Sequence, residues 1–181
     1  MKKKTVLLEG SVSSHLGYHR PNNEDNFLLQ GEINAESAPV LETAPPLSPW
    51  LGVWHCFAVF DGMGGGERGE VASWLAAKEF QRLSAGPELD AAGVDALAVG
   101  AFRAANRRIL QERDKTMYGA AGVAVFTDGR RFRVYHLGDS RAYLCRFGAL
   151  FRLTRDHSVA AVKIDIGYYA EDDPRAARGG A

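Results

Sequence analysis

The stretch WHCFAVFDGMGGGERGE, residues 54–70, constrains the fold more than any other part of the chain. Trp54–Phe60 carries apolar residues on both faces of an extended chain, which predicts a buried central strand. It runs straight into Asp61, a glycine cluster and Glu70. A helical pattern follows over Glu70–Leu83, with Val71, Ala72, Leu75, Ala76, Phe80 and Leu83 on one stripe. Gly86-Pro87 breaks that pattern. A second helix is predicted over Ala91–Glu112, where Val94, Leu97, Ala98, Ala101, Ala105 and Ile109 share a face that Arg103, Arg107 and Arg108 avoid. Two amphipathic helices in series after a buried strand call for an antiparallel pair laid on a sheet.

The flanking segments read as strands. Thr5–Leu8 and Ser11–His15 are short strands broken at Gly10, and Asp25–Gln30 is another. Residues 31–53 hold Pro39, Pro45, Pro46 and Pro49 with few periodic apolar residues, the pattern of a proline-rich loop. Ala120–Thr127 and Arg131–Leu137 flank Asp128-Gly129, which suits a type I′ hairpin turn. Ala142–Arg146 and Ala149–Leu153 flank Phe147-Gly148 in a second hairpin. Strands, two helices, then more strands make an α+β pattern in a single domain over residues 1–181, with a polar tail at 164–181.

The formal net charge of zero sets up no overall field toward nucleic acid or an anionic membrane. The start, MKKKTVLLEG, is basic, but its apolar stretch is too short for a signal peptide, and no segment is long enough to span a bilayer. These features predict a cytoplasmic protein. Cys56 and Cys145 lie inside apolar strand-like runs and read as buried free thiols. His15, His19, His55, His136 and His157 lack zinc-type spacing and read as structural or exposed.

Gly64, Gly66 and Gly69 satisfy G-x-G-x-x-G between a strand and a helix. A dinucleotide fingerprint also needs a second strand directly after that helix. Gln81–Asp90 is polar and is no strand, and Asp61 would repel a pyrophosphate. No Gly-Lys-Ser/Thr follows, so a P-loop fails. Asp61 fits better as a ligand for a hard divalent cation, with the Gly62 carbonyl turned to the same ion; a plain Asp-Gly turn is the plainer alternative. Upstream, Arg20 precedes Glu24-Asp25 at the entrance of a strand. Strand neighbours point to opposite faces, so one of these carboxylates would meet a metal directly and the other hold a bound water. Arg20 has the planar fork suited to a phosphate, although a surface ion pair accounts for it equally well. Gly138-Asp139-Ser140-Arg141 puts a further aspartate at a strand end, where a tight turn is the alternative.

Arg20…Asn23-Glu24-Asp25…Phe27, Phe60-Asp61-Gly62-Met63-Gly64-Gly65, Gly138-Asp139-Ser140-Arg141-Ala142-Tyr143-Leu144 and Thr154-x-Asp156-His157-Ser158 together resemble the metal-dependent protein phosphatases of the 2C family. The Met63 form resembles the bacterial branch. The resemblance covers residues 10–160 and rests on four ordered motifs. It implies a β-sandwich flanked by antiparallel helix pairs (αββα), incomplete at the C-terminus, with a centre of two Mn²⁺ or Mg²⁺ ions. In that reading Asp61 bridges both ions, the Gly62 carbonyl and Glu24 join them, Asp25 orients metal-bound water, Arg20 grips the phosphate and Asp139 helps to hold a third, weaker ion. The implied reaction is hydrolysis of phosphoserine and phosphothreonine in proteins by metal-activated water, with phosphorylated proteins and a Ser/Thr kinase as partners. The alternative is a catalytically incomplete fragment or pseudophosphatase that acts as a binding or regulatory module.

Two departures from the family pattern stand out. Met117-Tyr118-Gly119-Ala120-Ala121-Gly122 lacks the hydroxyl side chains that family members carry before the mid-chain strand. Two further metal aspartates of the family's last third have no counterpart here. Asp165, Asp172 and Asp173 read instead as part of a solvated helix and tail.

Overall fold

A computed structural model describes residues 8–34, 40–43, 54–64, 68–84, 91–112, 117–170 and 172–173. The expected strand residues 5–7, the turn at Gly86-Pro87, Gly65, Gly66 and the end of the tail from 174 onward lie outside those residues. Five strands make the main antiparallel sheet: β2 (Asp25–Leu29), β3 (Glu32–Ile33), β5 (His55–Met63), β6 (Gly119–Thr127) and β7 (Phe132–Leu137), in the order β3-β2-β5-β6-β7. β1 (Ser11–Ser14) pairs with β4 (Val40–Thr43) in one ribbon, and β8 (Tyr143–Arg146) pairs with β9 (Ala149–Arg152) in another. The helices are α1 (Gly69–Ser84), α2 (Ala91–Glu112) and the short α3 (Val159–Asp165).

The alternation of side chains along β5 decides which face is the core. Cys56, Ala58 and Phe60 are buried against Ala76, Ala77 and Phe80 of α1 and Val94, Ala98, Ala101 and Ala105 of α2. Phe80 links the layers, its ring 5.1 Å from Phe60 and 4.9 Å from Phe102. The opposite face is more open: Val59 is exposed and Phe57 half-buried. The sequence predicts burial on both faces; within the described residues only the helix face is fully covered. Cys56 is buried but Cys145 is exposed, on a β8–β9 ribbon whose two strands pair only with each other among the described residues.

Three other boundaries differ from expectation. β5 continues through Asp61, Gly62 and Met63, because β6 pairs with every one of its residues. The proline-rich stretch contains β3 and β4, each held by pairing with a neighbouring strand rather than by an apolar pattern of its own. The β6–β7 turn is longer than a two-residue type I′ turn. The Asp128 carboxylate accepts from the backbone N–H groups of Arg130 and Arg131, and Asp128 N–H donates to the Arg131 carbonyl. In the second hairpin Phe147 and Gly148 both adopt positive φ, as a type I′ turn requires.

Candidate metal centre

Asp25 and Asp61 lie directly opposite one another in the β2–β5 register, so both project from the open face of the sheet. Asn23 sets the entrance to β2. Its side-chain carbonyl accepts from Asp25 N–H at 3.1 Å and its amide donates to Ser14 Oγ at 2.7 Å. A cavity of about 140 Å³ opens beside the two carboxylates, lined also by Ser13, Ser14 and Ser140. Both carboxyls are held above the usual aspartate range. Burial is the first cause in each; the negative charge of Glu24 adds to it at Asp25, and the charges of Asp25 and Asp139 add to it at Asp61. The Arg20 guanidinium pulls both back down by less than these raise them. Asp139 therefore does lie within electrostatic reach of Asp61.

Glu24 is 8 % exposed and points to the helix side. Its Oε2 accepts from Arg20 Nη1 at 3.1 Å, while Oε1 is buried with no hydrogen-bond partner. Buried polar atoms are nearly always satisfied, so this oxygen is a vacant acceptor of the kind a hard cation or its water uses. The Gly62 N–H donates to the Glu24 carbonyl at 3.0 Å. A Cβ at Gly62 would stand 2.0 Å from the Gly69 carbonyl oxygen, and one at Gly69 would stand 2.7 Å from the Glu24 carboxyl carbon. Glycine is needed at 62 because strand and helix start meet backbone to backbone there, and a Cβ at 69 would push the Glu24 carboxylate aside. Sequence reasoning singles out Gly62 as a candidate ligand through its carbonyl, and takes Gly69 only as part of a glycine motif, without its close approach to Glu24 and Gly62.

Gly138, with φ of 85°, turns the chain after β7 and presents Asp139. The turn is fastened from behind. Arg141 donates twice to Asp156, Arg152 donates to the same carboxylate, Ala142 N–H donates to the buried Thr154 hydroxyl at 3.0 Å, and His157 N–H donates to the Gly138 carbonyl at 2.9 Å. Asp156 is lowered by these hydrogen bonds, that from Arg141 foremost. Thr154, Asp156 and His157 thus position the turn, and Ser158 caps α3 by accepting from Ala161 N–H.

The residues fit a divalent cation in kind: oxygen donors, mutually repelling carboxylates, one vacant buried oxygen and a close glycine approach. They are not fully drawn together. Among the described residues no three His, Cys, Asp or Glu side chains converge closely enough to hold an ion. Repulsion among the carboxylates and the pull of Arg20 on Glu24 both favour this spread. The sheet argues against the dinucleotide alternative: β5 pairs with antiparallel neighbours on both sides, and among the described residues no parallel βαβ unit follows the glycine loop.

This arrangement coincides with a known domain. The profile of protein phosphatase 2C matches residues 19–163. The chain belongs to this family. The serine/threonine protein phosphatase PstP of Mycobacterium tuberculosis is 31 % identical over 173 residues, which cover 92 % of this chain and 28 % of PstP. A probable protein phosphatase 2C 44 of Oryza sativa is 35 % identical over 103 residues, 56 % of this chain and 31 % of that protein. Among solved structures, the PstP catalytic domain in complex with two manganese ions superposes with a TM-score of 0.67 at 29 % identity, covering 93 % of this chain and 64 % of that one. A phosphatase from Mycobacterium smegmatis in complex with cacodylate gives 0.59 at 27 % identity, covering 93 % of this chain and 61 % of that one. The chain therefore spans about a quarter of the length of PstP and under two thirds of the matched structures. The matched structures share its antiparallel sheet and helix pair, the fold the motifs predict.

Proposed function

We propose that this chain is part of a Mn²⁺- or Mg²⁺-dependent phosphatase acting on phosphoserine and phosphothreonine in proteins. The observation that carries the reading is the opposed pair Asp25–Asp61, raised by burial and by neighbouring acids, beside the vacant buried oxygen of Glu24. Asp61, the Gly62 carbonyl, Glu24 and Asp139 would hold the ions; Asp25 would accept a hydrogen bond from water at the site. When bound, such ions lower the pKa of water and neutralise phosphoryl oxygens. Arg20 offers its guanidinium fork to the phosphate once it leaves Glu24. No side chain needs to act as a nucleophile, so neither Ser140 nor Cys56 is given that role; burial pushes the Cys56 thiol up to about 12, far from an attacking thiolate. Methionine at 63 cannot donate a proton to the leaving alkoxide; water held at the site would supply it.

Phosphorylated proteins are the proposed substrates, made by a Ser/Thr kinase, and the cytoplasm is the proposed compartment. No helix among the described residues is long and apolar enough to cross a membrane. The second reading, a binding module with a partial pocket, is favoured by the incomplete convergence of the carboxylates. Manganese-dependent hydrolysis of p-nitrophenyl phosphate separates the two. Turnover lost in Asp61→Asn supports the enzyme; manganese binding without turnover supports the module.

A further inference from the structure

Ser14 closes β1 at the wall of the cavity that holds Asp25 and Asp61. Alternate residues of a strand share a face, and Val12 and Ser14 are half-buried where Ser11 and Ser13 are exposed. Val12 and Ser14 therefore project inward, and both line that cavity. The Ser14 hydroxyl oxygen accepts from the amide of the buried Asn23 at 2.7 Å. The Asn23 side-chain carbonyl accepts from Asp25 N–H, so one amide group fixes both the hydroxyl and the start of β2. A hydroxyl also has a proton to give. Among the described residues the Ser14 hydroxyl donates to none, although two carboxylates line the same cavity.

We propose that Ser14 donates this hydrogen bond to a phosphoryl oxygen of the bound phosphoprotein, with Asn23 as the positioning residue that holds the hydroxyl. This contact rests on the phosphatase reading and adds a neutral donor to the charged one of Arg20. The oxygens of a phosphate dianion only accept hydrogen bonds, and a donor held in place before the ligand arrives loses little freedom on binding. Water on a cation turns its protons outward, so it matches the carboxylates of Asp25 and Asp61 rather than a hydroxyl donor. The Arg20 guanidinium is already engaged by Glu24, whereas the Ser14 proton is uncommitted. The other hydroxyls at the cavity are less suited. Ser13 is exposed on β1, and no hydrogen bond among the described residues fixes the side chain of Ser140.

Fluorescence anisotropy tests the contact on this chain loaded with Mn²⁺. The probe is a fluorescein-labelled peptide with a non-hydrolysable phosphonate in place of the phosphoserine phosphate, and the same peptide with plain serine is the control. Ser14→Ala should weaken binding of the phosphonate peptide about tenfold, the loss expected for one hydrogen bond to a charged group. Ser14→Thr keeps the hydroxyl at a strand position that suits threonine, and should bind the phosphonate peptide as the wild type does. Electron paramagnetic resonance should show Mn²⁺ bound equally by all three proteins, since Ser14 is no ligand. Wild-type affinity for the phosphonate peptide in Ser14→Ala overturns the proposal. So does a loss in Ser14→Thr as large as that in Ser14→Ala, or Mn²⁺ binding lost from Ser14→Ala, which marks a structural role. The phosphatase reading fails on a different result: wild-type protein that binds no Mn²⁺, or that binds the phosphonate and serine peptides equally, defeats it and the Ser14 contact with it.

Discussion

Asp25 and Asp61 hold their protons more tightly than an aspartate in an unfolded chain, whose ordinary value is 3.8. In the window between 3.8 and the raised native values the folded chain binds more protons than the unfolded one. Stability contributed by these two groups therefore falls as pH rises through that window, and at neutral pH they oppose folding. Two outcomes follow at this scale. Asp61→Asn should raise the melting temperature of the metal-free protein at pH 7 while abolishing Mn²⁺ binding, checked by calorimetry with and without the ion. Wild-type Mn²⁺ affinity should weaken on acidification from pH 7, beginning above the ordinary aspartate range, because each ligand must first lose its proton. Tyr118 gives a third. Its hydroxyl is buried with no hydrogen-bond partner, and the ring packs with Ala72, Leu75 and Ile109 beneath Arg68. Tyr118→Phe should therefore be neutral or stabilising by up to about 1 kcal/mol in urea unfolding. Asp61, Glu24 and Asp25 could be singled out in the sequence because each lies in a short acidic motif next to an apolar strand pattern. The requirement for Gly69 could not, because it arises from contact with Glu24 and Gly62, and composition carries no record of such an approach.

The seam between β5 and α1 is what positions the candidate site residues at the level of elements. Gly62 and Gly69 let strand and helix touch backbone to backbone, and Phe80 locks the helix onto Phe60. Gly62→Ala drives a methyl into a carbonyl that cannot swing aside, and should cost at least about 2 kcal/mol while also weakening Mn²⁺ binding. Gly119→Val, on the same sheet where a Cβ meets none of the described residues, should cost little, so a urea titration of the two variants isolates the seam from a general effect of losing glycine. α1, α2, β2 and both hairpins were readable from periodicity and turn residues, since each carries its own local pattern. β3 and β4 were not, because their strand character comes from pairing with β2 and β1. The end of β5 was misplaced for the same reason: β6 extends the ladder past the point where apolar residues stop.

Over the whole molecule, charge and exposure divide the chain. The helix face of the sheet is sealed, whereas Tyr143, Phe147, Leu150, Phe151, Val159, Val162 and Ile166 are exposed in the region from β8 to the end of α3. The β8–β9 ribbon also leaves both of its outer edges unpaired among the described residues. Surface of this kind associates, so the chain alone should show concentration-dependent self-association by analytical ultracentrifugation, reduced by Phe151→Lys on that ribbon. The sequence announced the family through four motifs spread over the chain, but not this exposure, which depends on what packs against each strand. The central claim is that Glu24, Asp61, Gly62 and Asp139 meet on a hard divalent cation at one end of the sheet. A crystal of the chain soaked in manganese chloride tests it most directly. The account predicts an anomalous difference peak beside the Asp61 carboxylate and the Gly62 carbonyl, with Glu24 Oε1 turned toward it directly or through water. A difference map without a peak there, at manganese concentrations that label other sites, contradicts it.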